Sequence, residues 1–400
     1  MQQEKIWTKD FIVLITSNFF ISLTFYLLMT SMALYAVKTF QSSQSSAGLA
    51  ASIFIIGAVF SRLIAGKYVD VIGRKKTLYG GLVLFLISSL LYFPVESLAL
   101  LFVIRFVHGL AFGVVSTVLA TAAMDSLPIA RRGEGNGYFS LSSALATAVG
   151  PFLALFLSTN YGYNAIFLGG VIFSILALGS AMLGHVKEPK LTVQDRALLK
   201  SGFKPGDFFE MSAVPVSLIM VIAGIGYSSV VSFINSYAIE IDLTNAAAFF
   251  FVVYAIFLFI SRPIAGKLFD SRGENTVIYP SLIMFAISLL LVGIAQNGLT
   301  LLLAGALLAF GFGTLMSSLQ TVAVKVAPHN RIALAISTFY ICLDGGMGIG
   351  PYIIGLIVPL VGFRGMYLIL AAIVLSLVFL YYQLHGRKAA AEQRYKQIEA

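Results

Sequence analysis

Twelve long apolar runs divide this chain, and they constrain its fold more than any other feature. A helix that crosses a bilayer needs about 20 mostly apolar residues, and each run is close to that length. Short polar links separate most of the runs. The sequence therefore predicts an all-α membrane protein with twelve transmembrane helices. The runs cover residues 11–37, 47–69, 77–93, 98–123, 136–158, 163–184, 212–238, 245–268, 275–294, 299–325, 332–358 and 363–385.

The composition agrees with a chain that lies mostly in lipid. Hydrophobic residues make up 59% of it and charged residues 11%, whereas soluble domains carry about 25% charged residues. The first run, 11–37, is too long for a signal-peptide core. Cys342 is the only cysteine, which excludes an internal disulfide and a cysteine-based metal site.

Basic residues are concentrated on one predicted side of the membrane. Of the 26 Lys and Arg residues, 21 fall at the N-terminus, in the links that share its side, or in the tail. Basic loops face the cytoplasm, so the sequence predicts a cell-membrane protein with both termini cytoplasmic. The net charge of +9 follows this face, which indicates the lipid bilayer rather than nucleic acid as the partner.

The chain also contains an internal duplication at an offset of 200 residues. Residues 61–73 return as 261–273, with eight of 13 positions identical. Six crossings per half return the chain to the same side, which explains why the repeat keeps its orientation. The sequence predicts two pseudo-symmetric six-helix bundles. The predicted divisions are an N-terminal half 1–184, a cytoplasmic central loop 185–211, a C-terminal half 212–385 and a cytoplasmic tail 386–400.

Residues 66–76, GKYVDVIGRKK, resemble the loop signature of the major facilitator superfamily, G-x-x-x-D-x-x-G-R-K/R-K/R. The second copy keeps the glycines and the aspartate but has Glu274-Asn275 where the basic residues stood. The resemblance covers the whole chain and implies the fold of that family. Residues 101–109 resemble the fourth-helix signature of its proton-coupled members, with His108 in place of the usual glutamine. The segments 146–151 and 346–351 resemble its antiporter signature.

The resemblance implies a cytoplasmic gate at the repeated motif. A carboxylate is unfavourable at the C-terminal end of its own helix and favourable at the N-terminus of another. Asp70 is therefore expected on the start of the eleventh helix, and Asp270 near the start of the fifth, by Asn136. The alternative is that these are solvated loop charges. The gate candidates are Arg62, Gly66, Asp70, Gly73, Arg74, Lys75, Asp125, Arg131, Arg262, Gly266, Asp270 and Arg272.

Three charged or titratable residues are candidates for proton coupling: Asp344, Arg105 and His108. Asp344 is the only acid at mid-membrane depth, and Arg105 lies within the fourth run. A charge at such a depth costs roughly 2.5–3.5 kcal/mol on insertion scales, which favours a function or a partner. The alternatives are a structural ion pair and a buried histidine with satisfied hydrogen bonds.

Two further groups of candidates concern motion and substrate. Gly150, Pro151, Gly350 and Pro351 break the helix hydrogen-bond ladder and either permit bending or form static kinks. The resemblance implies that helices 1, 4, 7 and 10 line a cavity. Aromatic and methionine side chains there suit amphipathic substrates, although ordinary packing is the alternative. The cavity candidates are Asn18, Ser22, Tyr26, Met29, Tyr227, Phe233, Asn235, Phe312, Met316 and Gln320.

The function that these features predict is transport. The leading hypothesis is a proton-coupled secondary transporter that works by alternating access and exports small organic molecules, as in the drug-efflux branch. An alternative is a specific exporter or uptake permease for a metabolite, sugar or metal chelator. A more remote alternative is a non-transporting receptor or an intramembrane enzyme, but the chain has no His-Glu-x-x-His pair and no Walker loop. We predict no enzymatic activity, no cofactor or metal, and a monomer whose partners are the substrate, protons and lipid.

Overall fold

The computed structural model describes residues 5–42, 44–189 and 204–391, and helices dominate them. Eleven helices are numbered in chain order, and a short helix, Pro205–Phe208, precedes α7. The helices are α1 Lys9–Phe40, α2 Gln44–Ile72, α3 Arg74–Leu90, α4 Leu98–Ser126, α5 Arg132–Asn160, α6 Tyr163–Met182, α7 Val214–Glu240, α8 Thr244–Arg272, α9 Asn275–Ile294, α10 Gly298–Val326 and α11 Ile332–Tyr381.

The protein crosses the membrane several times. Among the described residues, ten helical segments are long and apolar enough to span a bilayer. Helix α3 is shorter, with 17 residues. Helix α11 is a 50-residue stretch that covers the last two predicted runs, and Gly362 interrupts it with a non-helical φ of 70°. The prediction of twelve crossings stays a prediction.

The helices expose large apolar side chains and bury polar ones, which is the opposite of the pattern on a helix at the surface of a soluble protein. On α2, Ile56, Phe60 and Ile64 are 54%, 53% and 47% exposed. They recur every four residues and so form one face. Ser61 and Arg62 on the same helix are buried. Polar groups therefore lie inside, where other polar groups satisfy them, and apolar groups face the lipid.

Small residues let the backbones of α2 and α4 approach closely. A Cβ atom on Gly57 would clash with the backbone of Phe106, and one on Gly109 with Phe54. Gly113 lies in the same way against Ala58. Its repeat equivalent, Gly313, lies against Leu258, 200 residues after Ala58. Close packing at glycine is typical of membrane helix pairs.

The duplication is visible in helix ends as well as in packing. The side chains of Ser97 and Asn297 cap the N-termini of α4 and α10 at equivalent positions. Gly73 and Gly273, which join α2 to α3 and α8 to α9, have φ values of 106° and 82°. Only glycine adopts such a backbone without strain. The repeat therefore preserves the turn as well as the residues around it.

The contacts divide the chain into two compact units that do not coincide with its sequence halves. Unit 1 contains Met1–Pro128, Ser142–Glu210 and Pro328–Ile341. Unit 2 contains Ile129–Leu141, Met211–Ala327 and Cys342–Ala400. Each unit therefore includes the first turns of one helix, α5 or α11, from the other sequence half.

Candidate functional site

A buried arginine forms the centre of the first motif, at the junction of α2 and α3. Arg74 is 1% exposed. Its Nε donates to Asp70 Oδ1 at 2.6 Å, and its Nη1 donates to Asp125 at the end of α4. One guanidinium thus binds two carboxylates in unit 1, and all three residues are among the gate candidates. A buried charge is tolerated only with such partners.

The expected docking of Asp70 on the start of α11 is not observed. Within the three described ranges, the hydrogen bond of its carboxylate comes from Arg74. Arg74 lies just beyond the Gly73 turn, within hydrogen-bond reach of Asp70, and supplies a full charge. Helix α11 contacts α2 one to two turns earlier instead, where Ser337 Oγ donates to the carbonyl oxygen of Arg62. The Arg62 guanidinium lies 4.5 Å from the ring centroid of Tyr340.

Gly66 makes the contact between α2 and α11 possible. A Cβ atom there would lie 2.5 Å from the Cβ of Ser337. Overpacking of this kind costs about 1–3 kcal/mol. We expect Gly66→Ala to weaken the contact and to shift any equilibrium in which it forms and breaks by about 5- to 150-fold.

Cross-linking of cysteines placed on α2 and α11 would measure this shift. Gly80→Ala is the matched control, because a Cβ atom on Gly80 meets nothing within 4 Å. Equal cross-linking in the Gly66→Ala and Gly80→Ala proteins would contradict the expectation.

In unit 2 the second aspartate does lie at a helix N-terminus. Asp270 Oδ1 accepts a hydrogen bond from the backbone N–H of Gly133, and Oδ2 accepts one from that of Glu134, each at 2.8 Å. These are first-turn amides of α5, which an anion satisfies well. The predicted position at the start of this helix is confirmed. Asn136 is not the partner, since its Nδ2 donates to the Ser317 carbonyl oxygen and to Thr321.

The second motif carries an ion pair with its charges exchanged. Glu274 occupies the position equivalent to Arg74, and Lys325 the position equivalent to Asp125. Lys325 Nζ lies 2.8 Å from Glu274 Oε2, and His385 Nε2 lies 3.1 Å from Oε1. Burial raises the pKa of Glu274, but hydrogen bonds from His385 and Lys325 outweigh it and lower that pKa to about 2. The second motif therefore keeps an ion pair at these two positions, with the two charges exchanged.

Other gate candidates bind carboxylates that no sequence motif indicated. The carboxylate of Glu188, which follows α6, accepts hydrogen bonds from the backbone N–H groups of Arg74 and Lys75 at 2.7 and 2.9 Å. It caps α3, which begins just after Gly73. In unit 2, Arg131 Nη2 bonds Glu134 at 2.6 Å. Two further members of the set differ in exposure: Arg262 is buried and Arg272 is exposed.

The end of the central loop packs onto the first motif in unit 1. Lys67, only 1% exposed, has its Nζ 4.5 Å from the ring centroid of Phe208. Arg331, just before α11, binds the carboxylate of Glu210 and donates to the carbonyl oxygen of Gly206 at 2.7 Å. These contacts join segments that lie far apart in the sequence, so no local sequence pattern predicts them.

The proton-coupling candidates fall in different units. Arg105 and His108 are fully buried in unit 1. Arg105 Nε donates to the carbonyl oxygen of Ala50 at 2.8 Å. His108 Nδ1 lies 3.2 Å from the hydroxyl of Tyr92. Asp344 is half-buried and belongs to unit 2. The role predicted for these three residues stays a prediction.

In unit 1, the polar cavity candidates bind α5. Asn18 Nδ2 donates to Ser142 Oγ at 2.8 Å and to Ser143 Oγ at 2.9 Å. The hydroxyl of Ser22 lies 3.2 Å from that of Ser143. These two side chains are buried, whereas Tyr26 and Met29 are half-buried.

In unit 2, the cavity candidates are mostly aromatic. The rings of Tyr227 and Phe312 stack with centroids 4.0 Å apart and planes within 4°. Phe312 lies in a π-helical turn, Ala309–Gly313, a feature that is frequent at functional sites. The sequence gave no sign of this turn. The remaining candidates differ in exposure: Gln320 is buried, Phe233 and Met316 are half-buried, and the side chain of Asn235 lies outside the described part.

The Gly-Pro pairs lie within continuous helices. Helix α5 continues through Pro151, and α11 through Pro351. Gly150 packs against the backbone of α1 at Tyr26, and Gly350 against that of α7 at Ile225. Both pairs thus combine a missing backbone donor with a close helix contact, and bending there stays a prediction.

Comparisons with known proteins place the chain in a family. The family described as Major Facilitator Superfamily matches residues 14–281 and 248–398. The staphylopine export protein of Staphylococcus aureus is 26% identical over 83% of this chain and 85% of its own length. Multidrug resistance protein 2 of Bacillus subtilis is 21% identical over 78% of this chain and 80% of its own. The crystal structure of the human organic anion transporter MFSD10 superposes with a TM-score of 0.72 at 15% identity, covering 93% and 98% of the two chains.

Proposed function

Because this chain belongs to the Major Facilitator Superfamily, we propose that it is a proton-coupled secondary transporter that exports small organic molecules. It would work by alternating access, in which a central site opens to one side of the membrane and then to the other. Transport of a small-molecule substrate follows from the family. Export, proton coupling and the mechanism are the proposal.

One observation carries the proposal of alternating access. The first turns of α11 contact α2 through Ser337 and Arg62, and the first turns of α5 contact α8 through Asp270. The duplication relates the two helix pairs, although the bonds within them differ. Both contacts join helices from different sequence halves, and both consist of a few polar bonds around a glycine. Contacts of this size can form and break during a cycle, which supports their role as a gate.

The proposed topology follows the sequence. We assign twelve crossings, with α3 as the third and the two parts of α11 around Gly362 as the last two. The halves 1–184 and 212–385 flank a cytoplasmic loop 185–211, and the tail 386–400 is cytoplasmic as well. The basic loops support this orientation in the cell membrane. We further propose that the protein acts as a monomer.

The side chains favour amphipathic substrates. The Tyr227–Phe312 stack and the half-buried Met29 and Met316 provide polarizable surface with few charges. The similarity to Multidrug resistance protein 2 supports this substrate class. The second candidate is a specific exporter of a polar metabolite or metal chelator, for which the polar side chain of Asn18 is suited. The similarity to the staphylopine export protein supports specific export.

Transport in proteoliposomes would test the proposal. The purified protein would be reconstituted with an imposed pH gradient and offered a panel of amphipathic dyes, sugars and small chelators. We expect gradient-driven accumulation of at least one amphipathic dye, abolished by an ionophore that collapses the gradient. Accumulation of a chelator alone would favour the second substrate class, and transport that ignores the gradient would contradict proton coupling.

A further inference from the structure

The two copies of the motif differ in sign at both residues of their ion pair. Position 74 is arginine and position 274 glutamate, while positions 125 and 325 are aspartate and lysine. Each pair nevertheless forms a buried or partly buried salt bridge between the loop and the end of the fourth or tenth helix. The aspartate four residues earlier, Asp70 or Asp270, is the same in both copies.

The sign at this position changes what the aspartate can bind. Arg74 follows Asp70 across the Gly73 turn and binds it, whereas Glu274, which follows the equivalent turn at Gly273, offers Asp270 no donor. Asp70 accordingly binds Arg74 at 2.6 Å. Asp270 binds the first-turn amides of α5 instead. At position 274 the charge is neutralised by Lys325 on α10, and His385 after α11 shares a hydrogen bond with the same carboxylate.

We propose that residue 274 selects the partner of Asp270: a cation there would hold Asp270 within its own motif, as Arg74 holds Asp70, whereas Glu274 leaves Asp270 to bind α5. Lys325 neutralises Glu274, and His385 shares a hydrogen bond with it, so that a negative charge is stable at this position. Glu274 in turn offers Asp270 no cation across the Gly273 turn. The role of this arrangement in transport rests on the proposed function, but the choice of partner does not.

The cluster also joins the C-terminal end of α11 to the loop before α9. Tyr381 donates from its hydroxyl to Asn275 Oδ1 at 2.7 Å, and Asn275 Nδ2 donates to the Gly386 carbonyl oxygen at 2.8 Å. His385 lies in the same turn. The loop is therefore held from two sides. It cannot easily move to accommodate a change of charge at position 274.

The test converts the second cluster into the first. The double variant Glu274→Arg, Lys325→Asp places an arginine four residues after Asp270 and gives it an acid on α10. The contact of α8 with α5 is read by cross-linking cysteines at Glu134 and Lys267, whose charged atoms lie 3.8 Å apart, with a short bifunctional thiol reagent that spans the two shortened side chains. Cys342 is replaced by serine so that no other thiol reacts.

We expect the double variant to fold, with a thermal midpoint close to that of the parent, and its cross-linking to fall by about fivefold or more, the lower range for coupled sites. Glu274→Gln is the matched control, because it removes the negative charge without offering a cation, and its cross-linking should stay at the parent level. A folded double variant that cross-links like the parent would overturn the proposal. If it does not fold, the exchange Glu274→Lys, Lys325→Glu applies the same test. Both readouts need no substrate, so they are independent of the transport proposal.

Discussion

Asp70→Asn should lower the turnover of transport by about 10- to 100-fold while the protein still inserts into the membrane. Asp70 accepts a charge-assisted hydrogen bond from the buried Arg74, and such a bond contributes roughly 1.5–3 kcal/mol. Asparagine keeps the size of the side chain but not its charge. Arg74 retains Asp125, so we expect the fold to survive and the gate contact to lose its geometry.

Initial rates of dye efflux, normalised to the amount of folded protein, would measure this effect. Asp242→Asn is the matched control: the same chemical change at an exposed residue whose φ of 54° asparagine adopts readily. Parent turnover in the Asp70→Asn protein would show that the Asp70–Arg74 pair has no part in the cycle.

Asp344→Asn should abolish accumulation driven by a pH gradient while exchange of substrate continues. Asp70, Asp125 and Asp270 are engaged by Arg74 or by the amides of α5, and Asp344 is the acid that the sequence predicts at mid-membrane depth. Its neighbour Gly345 has nothing within 4 Å of where a Cβ atom would lie, so there is room for water. A carboxylate kept at a cost of about 2.5–3.5 kcal/mol should have a function that asparagine cannot supply.

Two assays on the same vesicles separate coupling from binding. Counterflow of a preloaded dye should proceed at a rate close to that of the parent, and uphill accumulation with a pH gradient should fall to the level of empty liposomes. Asp242→Asn again serves as the control. Uphill transport by the Asp344→Asn protein would assign Asp344 a structural role and leave His108, or a different ion, as the coupling element.

The sequence predicted the elements of the gate better than their partners. Helix length and the offset of 200 residues placed Asp270 at the start of α5 correctly, because a repeat fixes which elements meet. The docking that the resemblance implied for Asp70 is not observed, because Arg74, just beyond the Gly73 turn, supplies a full charge to its carboxylate. The reversal of charge at Glu274 and Lys325 is legible in the sequence, because both residues occupy the positions of Arg74 and Asp125 at the offset of 200.

Other contacts could not be predicted because they depend on distant segments. Glu188 caps α3 from more than a hundred residues away, and Glu210 binds Arg331 across a similar separation. Neither acid lies in a recognisable pattern. The sequence does not predict the π-helical turn at Ala309–Gly313 either, because the equivalent segment of α4 also contains glycines and remains α-helical.

The division of the chain into units has a consequence for its synthesis. Unit 1 includes Pro328–Ile341, so it cannot be completed when the ribosome reaches Glu210. The intervening residues 211–327 must be made first, which takes roughly 6 to 23 s at about 5–20 residues per second. During that time the surface of α2 around Gly66 lacks its contact with Ser337. A nascent chain in this state can accept residues 328–341 of a neighbouring copy, the exchange of identical segments that produces domain-swapped dimers.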